Sequence, residues 1–402
     1  MRAVDLFAGC GGLSRGFADA GVDVVAAFEN WDPAIATYRQ NFDHPIFKMD
    51  LSDVEGVSSL LKSDFAPDMI IGGPPCQDFS SAGKRIEQGR ADLTVAFSQI
   101  VSKVRPAYFV MENVERARGS AAYQDARANF KEAGYGLIET VLDASFYGAP
   151  QKRKRFFCIG RLGAEDSFVS VPPEALASTK PMTVRDYFGE SFGGDHYYRH
   201  PRNYSRRAVF SIDEPAPTMR GVNRPIPGGY PGHSGDSHEL DGSVMAITTE
   251  QRARIQTFPS SFIWEGPKTH VEQLIGNAVP VKLAEFIGRY VMDHARSQHE
   301  NSLDEFLVWL EARSADGHSR SLNDVVSRVR RANQLQPFPE YPDLQYLVDL
   351  AAGVGFQELV PAVRSQLRRA AKLYVEFMTP IPSGGESKLS RPATPESKNV
   401  VV

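Results

Sequence analysis

Short apolar runs alternate with amphipathic segments over the first 160 residues of the chain. The apolar runs that predict β-strands are Arg2–Phe7, Val24–Phe28, Met69–Ile71, Tyr108–Met111, Leu137–Leu142 and Phe156–Ile159. Residues Ala91–Val104 place apolar side chains at helical spacing, so one stripe of that helix can pack on a sheet. This alternation predicts a doubly wound α/β domain, whose ligand site lies at the carboxyl ends of its strands.

The hydrophobic pattern breaks down after residue 160 and returns near residue 248. The intervening residues are rich in Pro, Gly, Ser, Tyr and Arg, and the stretch Pro225–Gly232 consists almost entirely of turn formers. Helical patterning resumes at Thr249–Phe258 and Val281–Arg296. The pattern predicts five parts, namely an α/β domain at 1–160, a small irregular domain at 161–247, a return segment at 248–298 that completes the first domain, a helical region at 299–378 and a disordered tail at 379–402.

Composition narrows the class of protein without identifying it. The 402 residues carry 45 Lys and Arg against 49 Asp and Glu, and a net charge of −4 indicates neither a nucleic-acid binder nor an acidic tail. No apolar stretch approaches the roughly 18–20 residues of a membrane span, and the start of the chain is unlike a signal peptide. Three scattered cysteines favour neither a disulfide framework nor a zinc site. We therefore expect a cytoplasmic protein with reduced thiols, no metal and no membrane partner.

The first predicted strand ends in a glycine-rich turn, residues 9–12, that leads into a helix. Glycines let the backbone approach a ligand, although a plain tight turn or a dinucleotide site would carry the same pattern. The next two apolar runs end near Glu29, Trp31 and Asp50. A carboxylate there can bind ribose hydroxyls, and an indole can stack on a purine. Each residue alone fits a surface acid, a core residue or a helix cap better, but their placement at successive strand ends favours an adenosine ligand.

Two later strand ends carry candidate catalytic groups. Cys76 follows two prolines on a stiff turn, and a thiol with a pKa of ~8.5 needs activation to react as a thiolate. A buried structural cysteine is the alternative. Glu112 follows the fifth strand and can act as a general acid if its surroundings raise its pKa.

The basic segment Gln151–Arg155 precedes the last predicted strand of the domain. In an extended segment Gln151, Arg153 and Arg155 point to one face and converge, whereas Lys152 and Lys154 point away. The two lysines are better explained as a solvated or phosphate-facing edge.

Five motifs in this order and spacing resemble those of the C5-cytosine DNA methyltransferases. They are Asp5-Leu6-Phe7-Ala8-Gly9-x-Gly11-Gly12, Pro75-Cys76-Gln77, Glu112-Asn113-Val114, Gln151-x-Arg153-x-Arg155 and Gly276-Asn277-x-Val279-Pro280. The resemblance covers roughly residues 1–296. It implies a Rossmann-like methyltransferase domain that uses S-adenosyl-L-methionine and releases S-adenosyl-L-homocysteine, a small irregular target-recognition domain and a helical C-terminal extension.

The resemblance also implies the catalytic roles. Cys76 is similar to the nucleophile that adds to C6 of a flipped-out cytosine, and Glu112 to the acid that contacts N3 and the exocyclic amine. Arg155 resembles the guanidinium on O2 of the base, and Arg153 a support of the Cys76 loop. Asn113 and Gln151 resemble residues that hold these catalytic groups in position.

The cofactor and DNA contacts implied by the family complete the candidate site. The positions that resemble the cofactor pocket are Phe7, Ala8, Gly9, Gly11, Gly12, Leu13, Glu29, Trp31, Asp50, Leu51, Leu93, Asn277 and Val279. The target-recognition domain carries six arginines and three interleaved tyrosines between His196 and Arg224. The candidate DNA contacts are Gln77, Ser80, Lys84, Arg85, Arg199, Arg202, Arg206, Arg207, Thr218, Arg220 and Arg224.

The resemblance predicts a double-stranded DNA methyltransferase, a monomer on its DNA and the modification partner of a restriction endonuclease. It would be nucleoid-associated when bound. A tRNA methyltransferase and a catalytically inactive DNA-binding regulator are alternatives, and an oxidoreductase that binds a dinucleotide is a more distant one. Two helices of the region beyond residue 301 carry paired arginines, which fit either solvated faces or an accessory module that binds DNA or protein.

Overall fold

The computed structural model describes residues 1–75, 92–313, 319–336, 338, 342 and 344–378. These form two compact units, Met1–Glu300 and Asn301–Val402. Several predicted features lie outside the described residues, namely the nucleophile Cys76, the loop residues Gln77, Ser80, Lys84 and Arg85, and the tail at 379–402.

Twelve strands lie within the described residues. Their bounds are β1 (Arg2–Leu6), β2 (Asp23–Glu29), β3 (Ile46–Lys48), β4 (Met69–Gly72), β5 (Tyr108–Val114), β6 (Tyr135–Asp143), β7 (Gln151–Lys152), β8 (Lys154–Leu162), β9 (His196–Tyr198), β10 (Val209–Ser211), β11 (Ala216–Pro217) and β12 (Met245–Ala246). The α-helices of the same residues are α1 (Gly12–Asp19), α2 (Asp32–Arg39), α3 (Val54–Leu60), α4 (Asp92–Val104), α5 (Ala121–Glu132), α6 (Val184–Phe188), α7 (Thr249–Ile255), α8 (Lys268–Asn277), α9 (Val281–Arg313), α10 (Ser319–Leu335), α11 (Leu344–Ala352), α12 (Val354–Gln357) and α13 (Pro361–Met378).

The first unit is built on a seven-stranded sheet with the strand order β3-β2-β1-β4-β5-β8-β6. The first five strands run parallel, while β8 runs antiparallel to both of its neighbours. The order reverses between β1 and β4, so the loops that follow these two strands flank a crevice at the carboxyl edge. The predicted doubly wound α/β fold is confirmed, and the glycine-rich turn and the loop that leads to Cys76 both start at this reversal.

Successive strand residues point to opposite sides of the sheet, and helices pack on both faces. Ala3 of β1 faces a cluster that includes Phe17 of α1 and Leu283 of α9. Val4 faces the other cluster, which includes Phe97 of α4. The strands therefore read as nearly continuous apolar runs, and polar residues concentrate where the strands end.

The residues that follow β8 form little regular structure, as their composition predicts. A three-stranded sheet of order β10-β9-β12 packs around buried side chains such as Tyr197 and Phe210. The short strand β11 pairs with β7, with Ala216 opposite Gln151. This pairing attaches the irregular region directly to the carboxyl edge of the large sheet.

The second unit is helical and has its own apolar core. Leu303, Phe306 and Tyr374 are buried in one cluster, and Leu350 and Leu367 in another. Helix α9, predicted to end at Arg296, continues to Arg313. In the described part of the chain, no helix combines the length and apolar character needed to cross a bilayer.

Candidate active site

The turn after β1 has the unusual backbone that its glycines predict. Phe7, Gly9 and Gly11 adopt φ angles of 60°, 57° and 94°. A non-glycine residue at positive φ is uncommon and marks a turn that its surroundings hold in place. The side chains of Leu13 and Val279 pack in one apolar cluster, which brings the return segment beside the turn.

Glu29 ties this turn to the end of the second strand. One of its carboxylate oxygens accepts from the amide of Gly9 at 2.8 Å, and the other accepts from the amides of Asn30 and Trp31 at 2.8 and 2.9 Å. An ionised carboxylate has about four acceptor positions. The backbone therefore fixes the orientation of Glu29 and leaves about one position for a ligand hydroxyl.

The other predicted cofactor positions surround these turns. Trp31 is half-buried, with its ring 5.8 Å from that of His270. The Oδ1 atom of Asp50 accepts from both the amide and the hydroxyl of Ser52, which lowers the Asp50 pKa and keeps this exposed group ionised. The cap of α3 is Asp53, so Asp50 does not serve as the helix cap. The remaining positions divide into buried residues, namely Ala8, Gly12, Leu13, Leu51 and Val279, half-buried Leu93, and exposed Asn277.

Asp5 lies beneath the turn and is fully buried. Ser14 donates to its Oδ2 at 2.6 Å, Tyr38 donates to the Ser14 hydroxyl at 2.7 Å, and Nε2 of His44 lies 2.6 Å from the Tyr38 hydroxyl. Among the described residues, Oδ1 of Asp5 has no hydrogen-bond partner. Burial raises the pKa of Asp5 to about 7, although the bonds from Ser14 oppose this shift.

The raised pKa predicts that the folded protein loses stability as the pH rises. The native state holds a proton on Asp5 that the unfolded state releases near pH 4. The stability that this proton gives the native state is therefore lost as the pH rises towards 7. We expect the unfolding free energy at pH 8 to be roughly 2 kcal/mol below that at pH 5.5. Asp5→Asn should remove this difference in denaturant titrations, whereas exposed Asp23→Asn should retain it. An unchanged difference in Asp5→Asn would assign the pH dependence to another group.

Glu112 and Arg155 form a nearly buried ion pair where β5 and β8 run side by side. Nε of Arg155 lies 2.8 Å from Oε1 of Glu112, and the two side chains are only 12% and 10% exposed. Burial raises the pKa of Glu112, while the guanidinium groups of Arg155 and Arg153 lower it in part. The pair offers an acid and a cation side by side at the carboxyl edge of the sheet.

The pair stands next to the loop that leads to Cys76. A Cβ atom on Gly73 would lie 3.0 Å from Oε2 of Glu112, so the backbone passes directly over this carboxylate. Asn113 donates from its side chain to the carbonyl of Pro74 at 3.0 Å. The chain two residues before Cys76 is therefore held against the end of β5.

Gln151 and Arg153 are buried and Lys152 and Lys154 exposed, so the predicted alternation is confirmed. The polar groups of this inward face nevertheless bind different partners. Arg155 reaches Glu112, whereas Arg153 donates at 2.9 Å to the carbonyls of Met219, Gly276 and Ala278. Gln151 donates to Gln256 at 2.7 Å and accepts from the amide of Met219 at 2.7 Å.

Two motifs that are distant in sequence are joined by Arg153. Its described contacts connect the segment between β7 and β8 to Met219 of the irregular region and to the Gly276 motif. A Cβ atom on Gly276 would lie 2.1 Å from the amide nitrogen of Gly221, so only glycine allows this approach. The predicted support of the Cys76 loop by Arg153 stays a prediction, because that loop lies outside the described residues.

Sequence reasoning missed a second buried pair, Arg252 with Glu272. Their side chains are 1% and 4% exposed and in direct contact, and Arg252 also donates to the carbonyl of Arg220. Thr249 donates to Glu272 at 2.7 Å. The helical spacing of α7 and α8 gives no sign of this pairing, since the partners lie on different helices.

A cleft of about 950 Å³ opens between the end of the large sheet and the irregular region. It is strongly basic, because nine of its sixteen lining residues are Lys or Arg and only Glu115 and Asp143 are acidic. The basic lining residues are Arg116, Lys152, Lys154, Arg155, Arg199, Arg202, Arg206, Arg207 and Arg220. Such a surface attracts a polyanion despite the negative charge of the whole chain.

The predicted DNA-binding arginines have different surroundings. Arg207 forms an ion pair with Glu214, and its guanidinium stands 4.3 Å from the ring of Phe210. Arg199 donates to the carbonyl of Thr218, and burial with neighbouring cations lowers its pKa to about 9. The exposed residues are Arg202, Arg206 and Arg224, of which Arg224 does not line the cleft.

The sequence matches known proteins over this first unit. The family model for the C-5 cytosine-specific DNA methylase matches residues 1–293. The chain is 54% identical over 296 residues to the Type II methyltransferase M.HindV of Haemophilus influenzae, which covers 73% of this chain and 97% of that protein. It is 54% identical over 289 residues to M.HgiDI of Herpetosiphon aurantiacus, covering 71% and 93%.

Solved structures share the fold of the same region. A DNA modification methyltransferase from an Escherichia coli prophage is 25% identical and aligns with a TM-score of 0.55 over 73% of this chain and 99% of its own. The Dnmt2 methyltransferase of Schizosaccharomyces pombe aligns with a TM-score of 0.56 over 73% and 99%, at 19% identity.

Proposed function

The chain belongs to the C-5 cytosine-specific DNA methylase family and is a DNA (cytosine-5-)-methyltransferase of Type II, and from this premise we propose its mechanism. We propose that it methylates C5 of a cytosine flipped out of a specific double-stranded DNA sequence. A stacked base does not expose its C5 and C6 atoms to an enzyme, so the base has to leave the helix. The observation that carries the proposal is the buried Glu112–Arg155 pair beside the backbone that leads to Cys76.

The pair is suited to hold the polar edge of a cytosine. We assign N3 and the exocyclic amine to Glu112, and O2 to Arg155, which donates hydrogen bonds only. Burial raises the pKa of Glu112, so the carboxyl group keeps a proton to higher pH than an exposed glutamate. A proton donated towards N3 draws electron density from the ring and makes C6 a better electrophile.

The reacting thiol is assigned to Cys76. Its thiolate forms a bond to C6, and the electron pair of the C5–C6 double bond moves to C5. After C5 has gained the methyl group, it loses its proton to a base, and the electrons of the C5–H bond restore the double bond as the C6–S bond breaks. Covalent addition is needed because an aromatic pyrimidine carbon is a poor nucleophile.

S-adenosyl-L-methionine, the methyl donor that the family implies, supplies an electrophilic methyl group when bound. The residues after β1 and β2 fit such a ligand. A Cβ atom on Gly9 would meet no atom within 4 Å, so the turn presents open backbone, and Glu29 keeps about one acceptor position. We assign the ribose to Glu29, the purine to Trp31 and its amino group to Asp50.

Trp31→Ala is expected to weaken binding of S-adenosyl-L-homocysteine about tenfold or more and to leave DNA affinity nearly unchanged. Stacking of a base on an aromatic ring contributes roughly 1–3 kcal/mol. Trp31→Phe should restore most of the affinity, since it keeps a ring. Trp264→Ala removes an aromatic residue from the same apolar cluster and controls for lost packing. Calorimetric titration measures each affinity, and a larger loss for DNA than for the cofactor product would show that the pocket is misassigned.

We assign DNA recognition to the basic cleft and to a target-recognition domain at 161–247. The catalytic domain would then comprise 1–160 and the return segment 248–298. Guanine edges and phosphates both accept from arginine, and exposed Arg202 and Arg206 are free of the ion pair that engages Arg207. We propose a monomer that works in the cytoplasm, at the nucleoid when bound to DNA, and protects sites from a cognate restriction endonuclease.

Bisulfite sequencing of DNA treated with the protein and S-adenosyl-L-methionine tests this function. We expect protected cytosines at one position of one recurring sequence, and loss of cleavage there by an endonuclease of that specificity. Labelling of tRNA but not of DNA would instead support the RNA methyltransferase. Binding to DNA without protected cytosines would support the inactive regulator.

A further inference from the structure

A basic groove lies in the helical unit, outside the part that matches the family. It has a volume of about 480 Å³ and lies along α13, with Phe356 and Pro361 forming its apolar wall. The polar residues that line the groove are Gln357, Arg364, Ser365, Arg368, Arg369 and Lys372. Arg364, Arg368 and Lys372 are four residues apart, so they share one face of the helix.

The four cations of the groove have no acidic partner among the described residues, and the groove lining contains no acid. Elsewhere in the same unit a cation is paired, since Arg313 lies 2.9 Å from Glu376. Arg364 instead donates to the side-chain amide oxygen of Gln357 at 2.9 Å, and Arg368 stands 6.0 Å from the ring of Phe356. Like charges four residues apart destabilise a helix, so this arrangement costs stability that a bound anion would recover.

We propose that this groove binds the phosphate backbone of duplex DNA and gives the methyltransferase a second, sequence-independent contact. The proposal rests on the proposed function in one respect, namely that the protein works on DNA. From Arg364 to Lys372 the helix rises about 12 Å, a length over which one strand of duplex DNA, with one phosphate per roughly 3.4 Å of helix axis, presents about three to four phosphates. Long flexible side chains with several donors suit phosphate oxygens, which carry no sequence information.

The test compares the full chain with a variant that carries Arg368→Gln, Arg369→Gln and Lys372→Gln. Binding to a duplex containing the methylation site is measured by fluorescence anisotropy between about 50 and 200 mM salt. Each phosphate contact adds about 0.9 to the slope of log affinity against log salt. We expect the slope to fall by about 2–3 and the affinity to fall roughly 10²–10³-fold at about 100 mM salt. The methylation rate at saturating DNA should stay within about twofold.

A charge-matched control separates a local contact from a change in net charge. Arg2, Arg39 and Lys62 are exposed near the amino ends of the sheet strands, away from the carboxyl edge. Replacing these three with Gln should leave the slope unchanged. Arg368→Lys with Arg369→Lys keeps the charge and should keep the slope, which assigns the loss to charge and not to the arginine side chains themselves.

The outcomes distinguish this proposal from the methyltransferase function. An unchanged slope in the groove variant, or an equal fall in the control, overturns the proposed DNA contact. The groove would then be either solvated or a binding surface for an acidic protein. A chain that methylates no DNA but loses slope in the groove variant would retain the contact and contradict the proposed function.

Discussion

Replacing Cys76 with alanine is expected to reduce methyl transfer by more than about a thousandfold while changing DNA affinity by less than about threefold. Without the thiol no bond forms to C6, and C5 gains no carbanion character, so the reaction loses its main route. Pro74 and Pro75 restrict the backbone that precedes residue 76, and alanine removes only the sulfur. Transfer of labelled methyl groups and DNA anisotropy measure the two effects separately.

A duplex with 5-fluorocytosine at the target position makes the test specific to the covalent step. Fluorine at C5 cannot leave as a proton does, so the adduct persists after methylation. The wild-type protein should give a complex that survives denaturing electrophoresis, and the Cys76→Ala variant should give none. Cys158→Ala is the matched control, since that thiol is fully buried and burial raises its pKa to about 12. Persistent turnover or a trapped complex in Cys76→Ala would refute the assignment of the nucleophile.

The sheet and its ligand edge could be predicted because they depend on local patterns. Apolar runs and helical stripes locate the strands and helices, and the polar residues that follow each strand mark the edge where they meet. The observed bounds of the strands and helices differ most from the predicted ones where tertiary contacts extend an element. Strand β5 continues through Glu112 and Asn113 to Val114 because β8 pairs with it along its whole length.

The partners of buried polar groups could not be read from the sequence. Alternation predicts that Gln151, Arg153 and Arg155 share a face, but only the folded chain brings the carbonyls of Met219 and Gly276 to Arg153. The Arg252–Glu272 pair was missed for the same reason. The net charge of the chain also gave no indication of DNA binding, since it averages over the basic cleft and the acidic residues elsewhere.

Glu112→Gln is expected to lower methyl transfer by roughly 10²–10⁴-fold, the usual contribution of a positioned acid. Glutamine has nearly the same shape, but it has no carboxyl proton to donate towards N3. It also leaves the 12%-exposed Arg155 without its counter-charge. Breaking a buried pair can cost about 3–5 kcal/mol, so thermal unfolding is followed in parallel and rates are compared only for folded protein.

The pH profile links this loss to the proton on Glu112. Burial raises the pKa of Glu112, so the protonated form is present at low pH and is lost as the pH rises through that value. The wild-type rate should therefore fall on the alkaline side, and the residual rate of Glu112→Gln should lack this fall. Glu55→Gln changes an exposed carboxylate 2.8 Å from Lys103, outside the site and the cleft, and should keep both the rate and the profile. A full rate in Glu112→Gln, or an alkaline fall that persists in it, would assign the proton donor to another group.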